Sequence, residues 1–270
     1  MKLAFVLSAS PTRFAAAAEE SDLDSGVSFL AGLGFDGVEL AVRDPAGVPA
    51  GALRALVEER GFPVPALGTG QAYVDEGLSL SSPDPGVCDR AVARLLRHVD
   101  LAERLGALVI VGLIHGPIPP GGDRARATDR VLSRLGEVAR AARGRGVRIV
   151  LEPINRYETN WLNTVDEVLE FLGRLGEENV GVLPDTFHMN IEEQDPLEAL
   201  RRARDRLWHV HVADSNRRAP GWGHVDFAAV VGTLREIGYG GFLSAEVLPL
   251  PSWRDAARQT HAALRPLLAP

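Results

Sequence analysis

Residues Arg145–Glu152 read RGVRIVLE: a glycine stop, a β-branched apolar run, and a carboxylate where the run ends. The glycine suits a left-handed cap on a preceding helix, and the run suits a strand buried on both faces, as in a parallel sheet. Three stretches downstream repeat the arrangement. GVLPD (Gly181–Asp185), WHVHV (Trp208–Val212) and LSAEV (Leu243–Val247) are short apolar runs with Asp185, His211 or Glu246 at or just past their ends. Working outward, short apolar runs alternate with longer helix-period ones eight times. Strands are expected at Lys2–Ser8, Gly37–Ala41, Val64–Leu67, Ala107–Val111, Val147–Glu152, Val180–Leu183, Leu207–Val212 and Phe242–Val247. Helices are expected at Leu23–Leu33, Ala50–Arg60, Gly86–Leu105, Thr128–Arg143, Thr164–Leu175, Pro196–Arg204, Phe227–Ile237 and Ser252–Leu268. Eight β-α units in 270 residues predict an α/β protein with a closed (β/α)8 TIM barrel. An open doubly wound sheet fits less well, because the loop after the first strand, SASPTRF (Ser8–Phe14), lacks the glycine-rich phosphate fingerprint.

Composition excludes several functions. With 46% hydrophobic and 24% charged residues the chain can bury one large core. A net charge of -7 gives no footprint for a polyanion, so neither nucleic acid nor an anionic membrane surface is an expected partner. The single cysteine, Cys88, rules out an internal disulfide and any multi-cysteine metal site. LAFVL near the N-terminus is too short for a signal-peptide core, and no later run approaches a membrane span, so a cytoplasmic protein is expected.

The long loops follow the strands: Gly68–Pro85, Gly112–Ala127, Pro153–Asn163, Asp185–Asp195 and Ala213–Asp226. In a barrel of this type the strand C-terminal ends and these loops build the active site. Each candidate residue there also has a plainer role. Glu152 could pair with Arg148 or Arg156, Asp185 could cap the helix-like turn DTFHMNIEE, and Glu246 could close an ion pair. His209, two residues before His211 on the same strand face, lies deeper and reads as a hydrogen-bonded core residue. Three carboxylates and one imidazole at four successive strand ends together favour a divalent-metal socket, with an oxygen-rich set suited to Mn2+ or Mg2+.

The runs LEPINRYE (Leu151–Glu158), DTFHMNIEE (Asp185–Glu193), HVHVADSNR (His209–Arg217), GHVDF (Gly223–Phe227) and SAEVLP (Ser244–Pro249) resemble the ketose 3-epimerase branch of the xylose-isomerase-like sugar isomerase/epimerase superfamily, which includes D-tagatose and D-allulose 3-epimerases. VELAVRDP (Val38–Pro45), ALGTGQAY (Ala66–Tyr73) and the first ten residues are similar to its 5-keto-L-gluconate epimerase members. The resemblance implies one xylose-isomerase-like TIM barrel domain over residues 1–270, bound Mn2+ with Co2+ or Mg2+ as substitutes, and a homodimer or homotetramer. It implies metal ligands Glu152, Asp185, His211 and Glu246, with Glu152 and Glu246 also the catalytic acid/base pair. It further implies substrate-binding roles for Glu158, His188 and Arg217. One departure concerns the ends of strands three and four. Ketose epimerases commonly carry an aromatic residue or cysteine there, whereas LGTGQ and VGLIH place Gly68, Gly112 and His115 in the expected pocket wall.

The implied reaction inverts the carbon next to the carbonyl of a ketose or keto-sugar acid. A cation stabilises a cis-enediolate while two glutamates on strands three apart remove and return the proton from opposite faces. His115, Arg124 and Arg126 are candidates for extra positive charge toward a keto acid, and Trp161, Trp222 and Tyr73 for packing over a sugar or pinning their own loops. The alternatives on the same barrel are an inosose dehydratase, a hydroxypyruvate-type isomerase, an endonuclease-like phosphodiesterase and a sugar-binding barrel without turnover.

Overall fold

Eight apolar runs pair side by side, all in parallel: β1 (Lys2–Ser8), β2 (Gly37–Ala41), β3 (Ala66–Gly68), β4 (Leu108–Val111), β5 (Ile149–Leu151), β6 (Val180–Val182), β7 (Val210–Val212) and β8 (Phe242–Ala245). This is a computed structural model, and it describes residues 1–8, 10–20, 22–48 and 50–269. Ala9 of the SASPTRF loop falls outside them. The hydrogen-bonded order is β6-β5-β4-β3-β2-β1-β8-β7, and single parallel bridges from Val182 to Leu207 and from Asp185 to His211 join the two ends. The sheet is therefore curled into a barrel of TIM type, as expected. A two-residue strand, Ala18–Glu19, pairs beside the end of β1.

The observed strands are shorter than the apolar runs, for local reasons. β3 starts at Ala66 rather than Val64 because Pro63 and Pro65 have no N–H to give to a ladder. β5 stops at Leu151, although the Glu152 N–H still reaches the Val111 carbonyl at 3.1 Å. Leu207 touches β6 only through its single bridge, and β8 ends before Glu246.

Most helices match the expected spans within a few residues. The outer layer contains α1 (Leu23–Leu33), α2 (Ala50–Arg60), α4 (Pro85–Leu105), α5 (Arg124–Arg143), α6 (Val165–Leu175), α8 (Pro196–Ala203), α9 (Phe227–Glu236) and α10 (Trp253–Leu268). Asp84, Asp123, Asp195 and Asp226 each accept a first-turn N–H, a cap typically contributing about 1 kcal/mol. Asp123 starts α5 at Arg124, four residues before the expected Thr128, so the preceding mouth loop is shorter than its composition suggested. Two short helices, α3 (Gly70–Glu76) and α7 (Thr186–Glu192), stand within mouth loops. No helix of the described residues is long and apolar enough to cross a membrane.

Register decides what faces the lumen. Val6 pairs with Glu39, Ala41 with Gly68, Gly68 with Ile110, Ile110 with Val150, and His211 with Ser244. Since strand side chains alternate, Glu152 follows Val150 onto this inner face and Glu246 follows Ser244. The lower lumen is filled by Ala66, Leu108, Ile110, Val150 and Leu183 with Trp208 against them, so the polar residues at the upper end stand on a packed apolar floor.

Candidate metal centre

Four ligand atoms converge at the upper end of the lumen. One from each of Glu152, Asp185, His211 and Glu246 lies within 4.8 Å of all the others. All four residues are buried, Asp185 and His211 almost completely. Gly112, just past the end of β4 and beside Glu152, allows this crowding: a Cβ there would stand 2.6 Å from Glu152 Oε2. Asp185 both caps and converges. Its Oδ1 accepts the Phe187 N–H at 2.8 Å as the N-cap of α7, while Oδ2 makes no hydrogen bond. Glu152 forms no ion pair with Arg148 or Arg156. Arg156 is held by Glu192, and Arg148 lies over the Trp208 ring.

The imidazoles are oriented from below. Glu39, fully buried on β2, accepts from His209 Nε2 at 2.8 Å and from His211 Nε2 at 2.9 Å. His211 Nδ1 is thereby turned toward the carboxylates, 3.3 Å from Glu152 Oε1 and 4.0 Å from Glu246 Oε2. Burial opposes ionisation of Glu39, but His211 and His209 hold its carboxyl well below the usual range. This is the carboxylate–histidine pairing that fixes the ring of a metal ligand.

A cation fits these residues. Glu152 Oε1, Asp185 Oδ2 and His211 Nδ1 are buried without hydrogen-bond partners, each an unmet group that typically costs about 1–3 kcal/mol. Three carboxylates and one imidazole suit a hard or borderline divalent ion. Without such an ion the carboxylates repel one another. Burial pushes Glu246 up to about 8, with Glu152 and Asp185 adding to the rise against His211 and Arg217. Burial likewise lifts Asp185 to about 6, with Glu152 adding to the rise against the pull of His211. Burial works against a charge on His211, yet Glu39 and Glu246 overcome it and raise the imidazole well above its ordinary value.

A cavity opens above the cluster, lined among others by Glu158, His188 and Arg217. Arg217 donates to Glu158 Oε1 at 2.6 Å and to Glu246 Oε2 at 3.2 Å, and its guanidinium lies 5.0 Å from the Phe187 ring centroid. Its backbone sits at φ 58°, a left-handed conformation costly for a side-chain-bearing residue. Asp214 maintains it. The Asp214 carboxylate collects the N–H groups of Ser215, Gly221 and Val225 at 2.7–3.0 Å, and its carbonyl accepts the Arg217 N–H. Asn155 sets the state of His188. Tyr157 N–H donates to Asn155 Oδ1, so Asn155 Nδ2 donates to both Glu158 Oε1 (2.8 Å) and His188 Nδ1 (2.7 Å). His188 therefore carries its proton on Nε2, and burial together with Arg217 and His211 keeps it neutral, its pKa well below the ordinary value.

The family model described as "Xylose isomerase-like TIM barrel" matches residues 27–267. The chain belongs to the xylose isomerase-like TIM barrel family. Within that family it is 35% identical over 238 residues to the L-ribulose 3-epimerase of Mesorhizobium japonicum, covering 86% of this chain and 78% of that protein. It is 35% identical over 235 residues to the ketose 3-epimerase of Arthrobacter globiformis, covering 82% and 80%. A solved structure of an L-ribulose 3-epimerase superposes with a TM-score of 0.87 at 29% identity, covering 99% of this chain and 94% of that one. The resemblance read from LEPINRYE, DTFHMNIEE and HVHVADSNR is thus borne out.

Other expected residues of this family member lie elsewhere. Arg124 and Arg126 are solvent-exposed and face Glu167 and Asp123, so they bring no charge to the cavity. They stand in the exposed first turn of α5, which starts earlier than expected, and neither lines the cavity. His115 is buried behind the wall, edge-on to Trp161. Trp161 Nε1 donates to the Gly116 carbonyl, so this tryptophan pins its loop rather than roofing a sugar. Tyr73 and Trp222 are half-buried and are not among the residues lining the cavity. Gly68 and Gly112 do line it. Sequence reasoning passed over Glu39, Asn155, Phe14, Phe187 and Asp214. For Glu39 a signal existed: a lone carboxylate in the apolar run GVELA is the same pattern that singled out Glu152. Glu39→Gln is expected to weaken Mn2+ binding about 10–100-fold by isothermal titration calorimetry, because a neutral amide cannot accept from both imidazoles. Unchanged affinity in a folded variant would remove Glu39 from the orientation of His211.

Proposed function

We propose that the protein is a divalent-metal-dependent carbohydrate epimerase of the ketose 3-epimerase type. It inverts the carbon next to the carbonyl of a ketose or keto-sugar acid, with Mn2+ as the resident ion and Co2+ or Mg2+ as substitutes. The observation carrying this reading is that Glu152 and Glu246, from strands three apart in the ring, meet in one buried cluster beneath the cavity. Glu152, Asp185, His211 and Glu246 would hold the ion, which when bound supplies Lewis-acid stabilisation of charge developing on the carbonyl oxygen. Three carboxylates against a 2+ ion leave a formal charge near -1, which Arg217 beside Glu246 offsets.

The protein's own groups perform the rest. One glutamate takes the proton from one face of the substrate carbon, and the other delivers a proton to the opposite face, which inverts the centre. Glu246 and Glu152 both line the cavity, where each can reach a bound substrate. His188 Nε2–H and the unpartnered Arg217 Nε are donors for substrate oxygens, and Glu158 is an acceptor fixed by Asn155 and Arg217. Phe14 and Phe187 flank the guanidinium and limit where it can move.

The reading is tested by incubating Mn2+-loaded protein in deuterated water with D-fructose, D-tagatose, L-ribulose and D-tagaturonate and following the products by NMR. Deuterium at the carbon next to the carbonyl, together with the inverted epimer, is expected for at least one of them. Failure of label to enter any substrate would leave a sugar-binding barrel, and in a parallel incubation with an inosose net loss of water would make it a dehydratase.

A further inference from the structure

The loop after β1 brings Phe14 to the cavity wall, where its ring lies 5.9 Å from the Arg217 guanidinium. The ring is half-buried and packs against Val6, Ala17 and Ala41, and a Cβ added at Gly70 in the first turn of α3 would stand 3.8 Å from it. Such small neighbours give the ring few dispersion contacts, so the backbone of its loop decides where it lies.

The far end of that loop is fixed by the pairing of Ala18 with Leu7 and by the Glu19 carboxylate, which accepts the Thr12 N–H at 2.8 Å. Its tip is tied instead to the last turn of α3. Asp75 Oδ2 accepts the Thr12 hydroxyl at 2.7 Å, and Asp75 Oδ1 accepts the Arg13 N–H at 3.0 Å. Thr12 Oγ1 in turn accepts the Phe14 N–H at 3.0 Å, so a single hydroxyl separates the Asp75 carboxylate from the Phe14 backbone. Only 9% of the Asp75 side chain is exposed. Burial opposes its charge, yet the Thr12 hydroxyl and the Arg13 N–H hold its carboxyl below the usual range. Hydrogen bonds to a carboxylate are stronger than neutral ones, which suits this pair to hold a loop. The Arg13 guanidinium also meets Asp75, at 3.3 Å, but with its side chain 73% exposed it adds little to the tie.

We infer that Asp75 is a positioning residue, which through the Thr12 hydroxyl keeps Phe14 in place as an apolar wall for the bound carbohydrate. The inference rests on the epimerase reading proposed above. A ring placed in advance spares the cost of ordering the loop when substrate binds. Its contact is made in ground and transition states alike, so the gain falls on KM rather than kcat.

Steady-state kinetics of the Mn2+-loaded protein on L-ribulose, D-tagatose and D-tagaturonate test this. On the best of these substrates Asp75→Ala and Thr12→Val are each expected to raise KM about tenfold, with kcat within about threefold of wild type. Thr12→Ser keeps the hydroxyl and is expected to stay within about threefold of wild type in both constants. Mn2+ affinity by calorimetric titration is expected to be unchanged in all three. In a Phe14→Ala background, Asp75→Ala is expected to cost no more than about twofold further, because the group it positions is gone. The Thr12 pair decides the matter should Asp75→Ala fail to fold. An unchanged KM in Asp75→Ala, a loss confined to kcat, equal losses in Thr12→Ser and Thr12→Val, or losses that multiply in the Phe14→Ala background overturns this inference and leaves the epimerase intact. No turnover of any of the three substrates by wild type overturns the epimerase reading and this inference together.

Discussion

Glu152→Gln and Glu246→Gln are each expected to lose epimerisation by about 10²–10⁴-fold, the usual contribution of a positioned general acid/base. A glutamine carbonyl can still act as a ligand, so each single variant should retain Mn2+ far better than the double variant in calorimetric titration. The two losses should also differ in kind. If the carboxylates serve opposite faces of one carbon, the surviving base in each variant still removes a proton from one epimer and returns deuterium to the same face. One variant should then wash deuterium into one epimer without inverting it, and the other variant into the other epimer. The convergence of both carboxylates within 4.8 Å of each other and of the other ligand atoms makes this arrangement possible. Full activity in either variant, or exchange confined to the same epimer in both, would defeat the two-base scheme.

Removing the metal should abolish turnover and reverse the pH dependence of stability. In metal-free protein Glu246 is pushed up to about 8 and Asp185 to about 6, by burial first and then by neighbouring carboxylates. Both values lie above the unfolded-chain range of about 3.9–4.3, so the folded state binds more protons than the unfolded one between those limits. The stability gained from these protonated carboxyls is present below about pH 4 and is lost as pH rises through about 6 and then 8. Buried His98, His115 and His188, whose pKa values are lowered by burial, add stability as pH rises toward about 6.5 and oppose this loss. The melting temperature of chelator-treated protein should therefore fall between about pH 7 and 8, with each kcal/mol lost lowering it by about 2–4 °C in a chain of this size. Mn2+ requires the ionised carboxylates, so its binding should release protons and tighten over the same interval, and the melting-temperature rise on adding Mn2+ should grow with pH. A metal-induced rise that is constant or shrinks as pH increases would contradict the cluster as the binding site.

The extent to which the site was legible in the sequence differs from residue to residue. Glu152, Asp185, His211 and Glu246 could be read because each is a polar residue closing an apolar run, and burying such a group is costly unless it is paired or bound. The deeper place of His209 followed from strand alternation alone. The plainer readings proved uneven: Asp185 is indeed an N-cap and Glu246 does meet an arginine, whereas the nearby arginines of Glu152 are engaged elsewhere. Arg124 and Arg126 could not be placed in advance, because the Asp123 cap that puts them in the exposed first turn of a helix was not anticipated.

By itself the chain's alternation of short apolar and amphipathic runs, with a polar residue closing four of them, determined a parallel barrel with a polar cluster at the strand C-terminal ends. Both features are local and periodic, and backbone geometry converts them directly into faces and ends. Only the tertiary structure brought Glu39 beneath His209 and His211, 170 and 172 positions away, turned Arg217 inward through the loop held by Asp214, and set Asp75 against Thr12. Those relations depend on ring closure and register between strands distant in the chain, and no local pattern encodes which side chains such a closure will place in contact.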